Sequence, residues 1–447
     1  MKKNIIKLVS AFVLLIMAGA CKTEFENHNS FSEEAVYQTP EAYPGIVLGM
    51  TNHFARYSLY EIVRGPGVVS REIGATNTYT TENELESGSV PDDNTSISSL
   101  WRNLMYERGI AEKILTYIDD VTFPNDVEKN GIKAYAYFFK GMVNMYLGMY
   151  WEKAPVDNSP ANDATFASHA EILQSAIDNF DQALNILNGS SGSDVYINGL
   201  VSSNFSITDV INAFKTRVYL ELGDWQHAVT SANNVDLTST SVWTYDGSTT
   251  GRNPIWLVQY DAGASERWKA IKDMGITLEA GDQRYAFYVD DAQAGPNTET
   301  CGYQTRFVAG FWMTSTSPIP VYLPDEVKLM KAEAYAHMGG GNLSNAVALI
   351  DEVRQDTNDP FGVNAGLGPW TGNASDQQEV LDQIFYNYAT ECFLQGVRWN
   401  AHKRIYPDYL NGVQTPVDCA KQRSRNYYPY PSTEKANNPN TPADPSI

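Results

Sequence analysis

Val218-Tyr219-Leu220-Glu221-Leu222-Gly223-Asp224-Trp225-Gln226-His227-Ala228-Val229 can be laid on Ala334-Tyr335-Ala336-His337-Met338-Gly339-Gly340-Gly341-Asn342-Leu343-Ser344-Asn345-Ala346-Val347, allowing two extra glycines. Each stretch reads as a helix, a glycine turn, a polar cap at Asp224 or Asn342, and a second helix with Ala on its contact face. Small alanines let two antiparallel helices approach closely, so each copy predicts a helical hairpin.

Working outward, the same helical period recurs. Leu104, Ile110, Ile114, Leu115 and Ile118 mark one face of a helix, and Ile132 to Trp151 is apolar enough to be buried on most sides. Ser168-His169-Ala170-Glu171 is a capping box opening a helix whose face runs Ile172, Ala176, Phe180, Ala183 and Leu187. The expectation is a mostly α protein, with tetratricopeptide-like helical hairpins supporting an irregular loop-rich portion with few short strands. Residues 32–447 form the body, with hairpins near 101–188, 208–235, 325–355 and 376–405 and loop-rich segments at 61–100, 237–322 and 356–374. The hairpin spacing is not a regular 34 residues, which argues against a long array.

Residues 1–20 carry Lys2 and Lys3, an apolar run from Ile5 to Met17 broken by Lys7 and Ser10, and small residues before Cys21. That is the pattern of a secretory signal. With a cysteine at the cut it resembles a bacterial lipobox, in which Cys21 is acylated and heads the mature chain. Ala18 departs from the Leu usual there. Residues 21–31 then read as the lipidated N-terminus and a polar tether. Glu24 and Glu26 resemble a surface-export signal, though Phe25 splits them. No later stretch approaches the ~20 apolar residues of a spanning helix.

Losing the three lysines among residues 1–20 takes the formal charge from −21 to −24, a surface that repels phosphate backbones and argues against nucleic acid. A hydrophobic content of 43% is enough for a large core. Of the cysteines left after Cys21, Cys392 lies in an apolar helical pattern, whereas Cys301 and Cys419 lie in loop-like sequence. If a bridge forms, it joins those two.

The six histidines never take HxxxH or HExxH spacing, so neither a metal site nor a cofactor is expected. Gly339-Gly340-Gly341 lacks the Lys and Ser/Thr of a phosphate loop, and no Gly-x-Ser-x-Gly elbow occurs. The acid pairs Asp92-Asp93 and Asp290-Asp291 read as solvated loop charges, so no catalytic residue is nominated. Aromatic residues, by contrast, make up 12% of the chain, with Tyr57, Tyr60, Tyr79, Trp243, Tyr245, Trp268, Tyr285, Tyr303, Trp312 and Trp370 in loop-rich sequence. Most such rings pin loops to helices. A few exposed ones beside polar partners would suit a sugar, whose C–H face stacks while its hydroxyls form hydrogen bonds.

Near the C-terminus, Thr390-Glu391 through Gly396, Arg398, Trp399 and His402-Lys403-Arg404 resembles a segment of the SusD/RagB family. Tyr428-Pro429-Tyr430-Pro431, with Glu434, Asn438 and Pro439, is similar to that family's closing motif. Glu326 to Tyr335, Met145 to Val156 and Asp282-Gln283-Arg284 match further segments in the expected order. Gln395, Ala401 and Gln283 depart from the pattern. Glu391 and Arg398, seven apart and so two turns along one helix face, are expected to pair in a buried structural network.

The resemblance implies a lipid-anchored, surface-exposed outer-membrane protein that binds a nutrient, usually an oligosaccharide. Its partner would be a SusC-like TonB-dependent β-barrel transporter, and it would not be an enzyme. Tyr79, Trp268, Tyr303 and Trp312 are candidate stacking residues, with Arg71 and Asn77 as polar partners, chosen from loop position and chemistry. The competing readings are a lipid-anchored glycoside hydrolase and a helical-repeat scaffold that binds only protein.

Overall fold

The computed structural model describes residues 33–261, 267–413 and 419–446; Cys21 and its signal lie outside them. The architecture is built around helix Asp126–Tyr150, in which every residue from Met142 to Tyr150 is buried. Helix Thr95–Tyr117 packs on one side of it and helix His169–Gly189 on the other. Gly148 permits the second contact: a Cβ there would sit 2.6 Å from Leu173 Cδ2. Helix His169–Gly189 opens with the expected capping box, Ser168 and Glu171 each accepting from the other's backbone N–H.

The two repeated stretches form helical hairpins, Ile207–Glu221 with Trp225–Ala232 and Pro324–Met338 with Leu343–Arg354, stacked on each other. Asp224 caps its helix by accepting from His227 N at 3.2 Å. Asn342 does not: its amide donates to Gly339 O at 3.3 Å, and Gly339 and Gly340 turn the chain with φ of 65° and 57°. Buried ion pairs tie the hairpins together. Arg217 reaches Glu326 at 2.6 and 2.8 Å, and Arg404 bridges Glu333 and Glu221.

Two of the loop-rich segments hold regular structure. Residues 61–100 contain helices Leu59–Val69 and Thr80–Ser87. Gly65-Pro66-Gly67 reads as a breaker, but all three are buried and Ser70 N and Oγ bond to Pro66 O, so packing overrides local propensity. Residues 237–322 contribute three strands of a four-stranded antiparallel sheet whose order is Ile73–Ala75, Trp268–Ile271, Thr305–Val308, Val289–Gly295. Cys301 and Cys419 are joined by a disulfide beside that sheet, while Cys392 is a free buried thiol.

Glu391 and Arg398 do not pair. Helix Gln377–Glu391 ends at Glu391, Leu394 and Gly396 take φ of 56° and 74°, and Arg398 starts a new helix, Arg398–Ile405. Its guanidinium donates instead to Met274 O at 2.6 Å and Gln422 Oε1 at 2.9 Å. Glu391 meets Arg284 at 3.4 Å, and Arg284 also holds Asp282 at 2.7 and 2.9 Å. A Cβ at Gly396 would lie 2.6 Å from Ile62 Cγ2, so that turn admits only glycine. Trp399 stacks on Tyr150 at 5.6 Å and donates to Arg425 O, while Trp151 donates to Pro429 O and Trp101 to Glu434. Asn438 ties the C-terminal segment down by donating to Ala164 O and Glu434 Oε1, Pro431 immediately precedes the short helix Ser432–Asn437, and Pro439 follows in an exposed turn.

Candidate functional site

Helix Tyr43–His53 runs through a π-turn, Phe54–Ser58, into helix Leu59–Val69. The inserted turn re-phases the side chains, a device often found at functional sites. Here it leaves Tyr57 46% exposed while Phe54, Ala55 and Ser58 remain buried. Tyr106 lies two residues past the buried Leu104 on helix Thr95–Tyr117, roughly 200° around the helix, and is 55% exposed. His53 stands between the two tyrosines, with ring centroids 4.9 Å from Tyr57 and 4.6 Å from Tyr106. The three rings form a row on the protein surface.

That row divides two concavities. One, of about 1130 Å³, has an apolar floor of Ile46, Met50, Met105, Ile110 and Tyr137. Lys113 pairs with Glu33 and Lys140 with Asp157 among its lining groups. The other, of about 470 Å³, lies under the Thr244–Arg252 segment, which Tyr245 pins by donating to Ala55 O at 2.8 Å. Gly49 lines both, and a Cβ built on it would meet nothing within 4 Å. A glycine inside a helix costs ~1 kcal/mol relative to alanine, so its presence at an open position keeps the groove wide at some expense to the helix.

Beneath the rings, His53 Nδ1 meets Glu107 Oε1 at 2.8 Å, and Ser58 Oγ donates to the same oxygen at 2.6 Å. Burial pushes the Glu107 carboxyl up, against the pull of His53 and Ser58. Arg56 lies 5.3 Å from the Tyr57 ring, and its Nη1 is buried with no hydrogen-bond partner among the described residues. The site thus offers flat rings, apolar floor and charges of both signs. The Ser58 hydroxyl and the Glu107 carboxylate it donates to are both fully buried beneath the rings.

The structure gathers five of the six candidate ligand residues elsewhere, around the sheet and the disulfide, but buries two of them. Trp268 is fully buried in its strand, and Arg71 donates to Glu86 O and Lys421 O from a buried position. Tyr303 is half-buried and donates to Cys419 O, and Asn77 folds back to accept from Tyr79 N at 2.9 Å. Only Tyr79 presents much ring, 45% exposed with the Arg267 guanidinium 4.8 Å over it. Trp312, the sixth, lies apart, buried against Tyr288, Phe311 and Phe393. Arg71, Trp268 and Trp312 are therefore corrected from ligand platform to packing, because aromatic loops here fold onto themselves and the helices. The groove escaped the sequence reading because Tyr106 and His53 lie on helices. Tyr106's position off the apolar face was the available signal.

No protein-family model and no curated protein matches the chain. Solved structures do. A SusD superfamily protein from Bacteroides thetaiotaomicron VPI-5482 superposes with a TM-score of 0.66 at 15% identity, covering 91% of this chain and 100% of that one. A SusD-like carbohydrate binding protein from Bacteroides vulgatus ATCC 8482 gives 0.64 at 15% identity over 88% and 86% of the two chains. NanU of B. fragilis gives 0.66 at 14% identity over 94% and 99%. The chain has the SusD-like fold.

Proposed function

We propose that the protein is a lipid-anchored glycan-binding protein of the outer bacterial surface that captures an oligosaccharide in the Tyr57–His53–Tyr106 groove and delivers it to a SusC-like TonB-dependent barrel. The row of three rings between two concavities carries the reading of ligand class. Successive sugar rings can stack on successive aromatic faces, while Lys113, Lys140, Asp157 and Arg56 offer donors and acceptors to hydroxyls. A SusD-like neighbour described as carbohydrate binding supports the same class. Anchoring rests on the sequence of residues 1–21, and the partner on the resemblance. With Cys21 acylated, the chain to Glu33 would reach at most about 40 Å from the bilayer. The function proposed is capture without bond cleavage.

Calorimetric titration against a panel of oligosaccharides tests the ligand class. One class should give saturable heat that falls on changing Tyr57 and Tyr106 to alanine. Flat heats for every glycan, or loss of binding with Y79A and not with Y57A, would move the site or the class. Metabolic labelling with a palmitate analogue tests the anchor, and copurification of a β-barrel tests the partner.

A further inference from the structure

Three carboxylates from three separate segments converge in the interior: Asp325 in the first turn of helix Pro324–Met338, Asp359 in the segment after helix Leu343–Arg354, and Glu391 at the end of helix Gln377–Glu391. Each offers an oxygen within 4.8 Å of the others. All three residues are buried, with exposures of 1%, 7% and 0%.

The hydrogen bonding is uneven in a way that points to a ligand. Asp359 uses Oδ1 to accept from Phe361 N and Val363 N at 2.8 and 3.1 Å, and its Oδ2 is buried without a partner. Glu391 turns Oε2 to Arg284 at 3.4 Å and leaves Oε1 unpartnered. Asp325 pairs Oδ1 with Lys328 Nζ at 2.7 Å, and its Oδ2 is buried without a partner among the described residues. An unpartnered buried oxygen is costly, and a buried charge far more so.

Charge balance leads to the same conclusion. Among the described residues, the ion pairs of Asp282, Asp325, Asp356 and Glu391 are made with Arg284 and Lys328, and Asp359 has none. Arg284 already holds Asp282 through two hydrogen bonds, and Lys328 is shared with Asp356 at 3.8 Å.

We infer that Asp325, Asp359 and Glu391 hold a divalent cation, calcium by the chemistry of the donors, which locks the second hairpin to helix Gln377–Glu391. All three ligands are hard oxygens with neither sulfur nor imidazole, which selects against zinc and copper. Oxygens no more than 4.8 Å apart can surround calcium at ~2.3–2.6 Å, whose coordination is flexible, while magnesium at ~2.0–2.1 Å demands a near-ideal octahedron. The site is distant in sequence from the Tyr57–His53–Tyr106 groove and stands whether or not that groove takes a glycan.

Calorimetric titration of the chelator-treated full-length body with calcium chloride tests this. The expected result is one ion per chain, a rise of several degrees in melting temperature, and at least tenfold weaker binding of magnesium. Asp359→Asn keeps the two backbone acceptances at Oδ1 and removes the charge, so it should abolish the calcium-dependent rise. Asp325→Asn provides the same readout should the first variant fail to fold. Absence of saturable calcium heat in the wild-type protein overturns the inference, and so does calcium binding of unchanged stoichiometry and affinity in either variant.

Discussion

The Glu391 carboxylate meets the guanidinium of Arg284, 107 positions away in the chain, and not that of Arg398, seven positions on. The contact joins the Asp282-Gln283-Arg284 segment to the end of helix Gln377–Glu391. Tyr386 donates to Asp282 at 2.8 Å and Tyr288 to Glu391 O at 2.7 Å, completing the network. Burial works against the charge on Arg284, but Asp282 and Glu391 outweigh it and hold the guanidinium protonated.

Replacing Arg284 by methionine leaves both carboxylates buried without their cation, and urea denaturation should register a loss of about 3–5 kcal/mol. Arg398→Met removes hydrogen bonds to Met274 O and Gln422 without breaking an ion pair at hydrogen-bond distance, and should cost less, about 1–3 kcal/mol. Equal losses would contradict this partition.

The Cys301–Cys419 bridge closes a separation of 118 residues. By loop-closure entropy, the double serine variant should lose about 2–5 kcal/mol, read as a lower denaturation midpoint and matched by reduction of the wild-type protein. A midpoint insensitive to reductant would show that the bridge does not constrain the unfolded chain.

Tyr57→Ala and Tyr106→Ala should each weaken glycan binding by about two- to tenfold, the worth of one aromatic stacking contact. Since both rings are exposed, melting temperatures should stay within about 2 °C of the wild type. Gly49→Ala should raise stability by about 0.5–1 kcal/mol, because the added methyl has room and the helix gains propensity. Gly49→Phe should block the groove, observed as lost binding with an unchanged circular dichroism spectrum.

His402 supplies an acid-sensitive element. Burial, with Arg423 and Arg398 nearby, pushes its imidazole down to about 2, so the folded protein keeps it neutral where the unfolded chain binds a proton. Its stabilising contribution is complete above about pH 6.5 and is lost as pH falls toward 2. Between pH 6.5 and 4.5 that amounts to about 2–3 kcal/mol, and His402→Gln should remove this part of the acid dependence. Glu61, Glu72 and Glu107, which burial pushes up, act in the opposite direction and are common to both proteins, so the difference between them isolates His402.

How much the sequence discloses depends on how local the cause is. Gly223 with Asp224 and Ser168 with Glu171 act within a few residues of themselves, and the structure forms both turn and box. Asn342 has the right residue type at the right place, yet the glycine turn claims its amide. Pro66 is held helical by packing on every side, which no local pattern reports. Arg398 fell out of register with Glu391 because Leu394 and Gly396 reverse the backbone between them. For the candidate site, ring chemistry was legible and exposure was not: Trp268 and Trp312 are sequestered while Tyr106, on a helix, faces solvent.

Glu33 and Tyr37, in the first described helix, also wall the larger concavity, and Glu33 is paired with Lys113 across it. With the anchor proposed for Cys21, the tether would enter the body at the edge of the mouth. A pull on that tether would be felt at the lip of the groove before any hairpin, so a body moored there would pivot about its own opening. Cargo would then travel a short arc while the far side of the molecule swings widest.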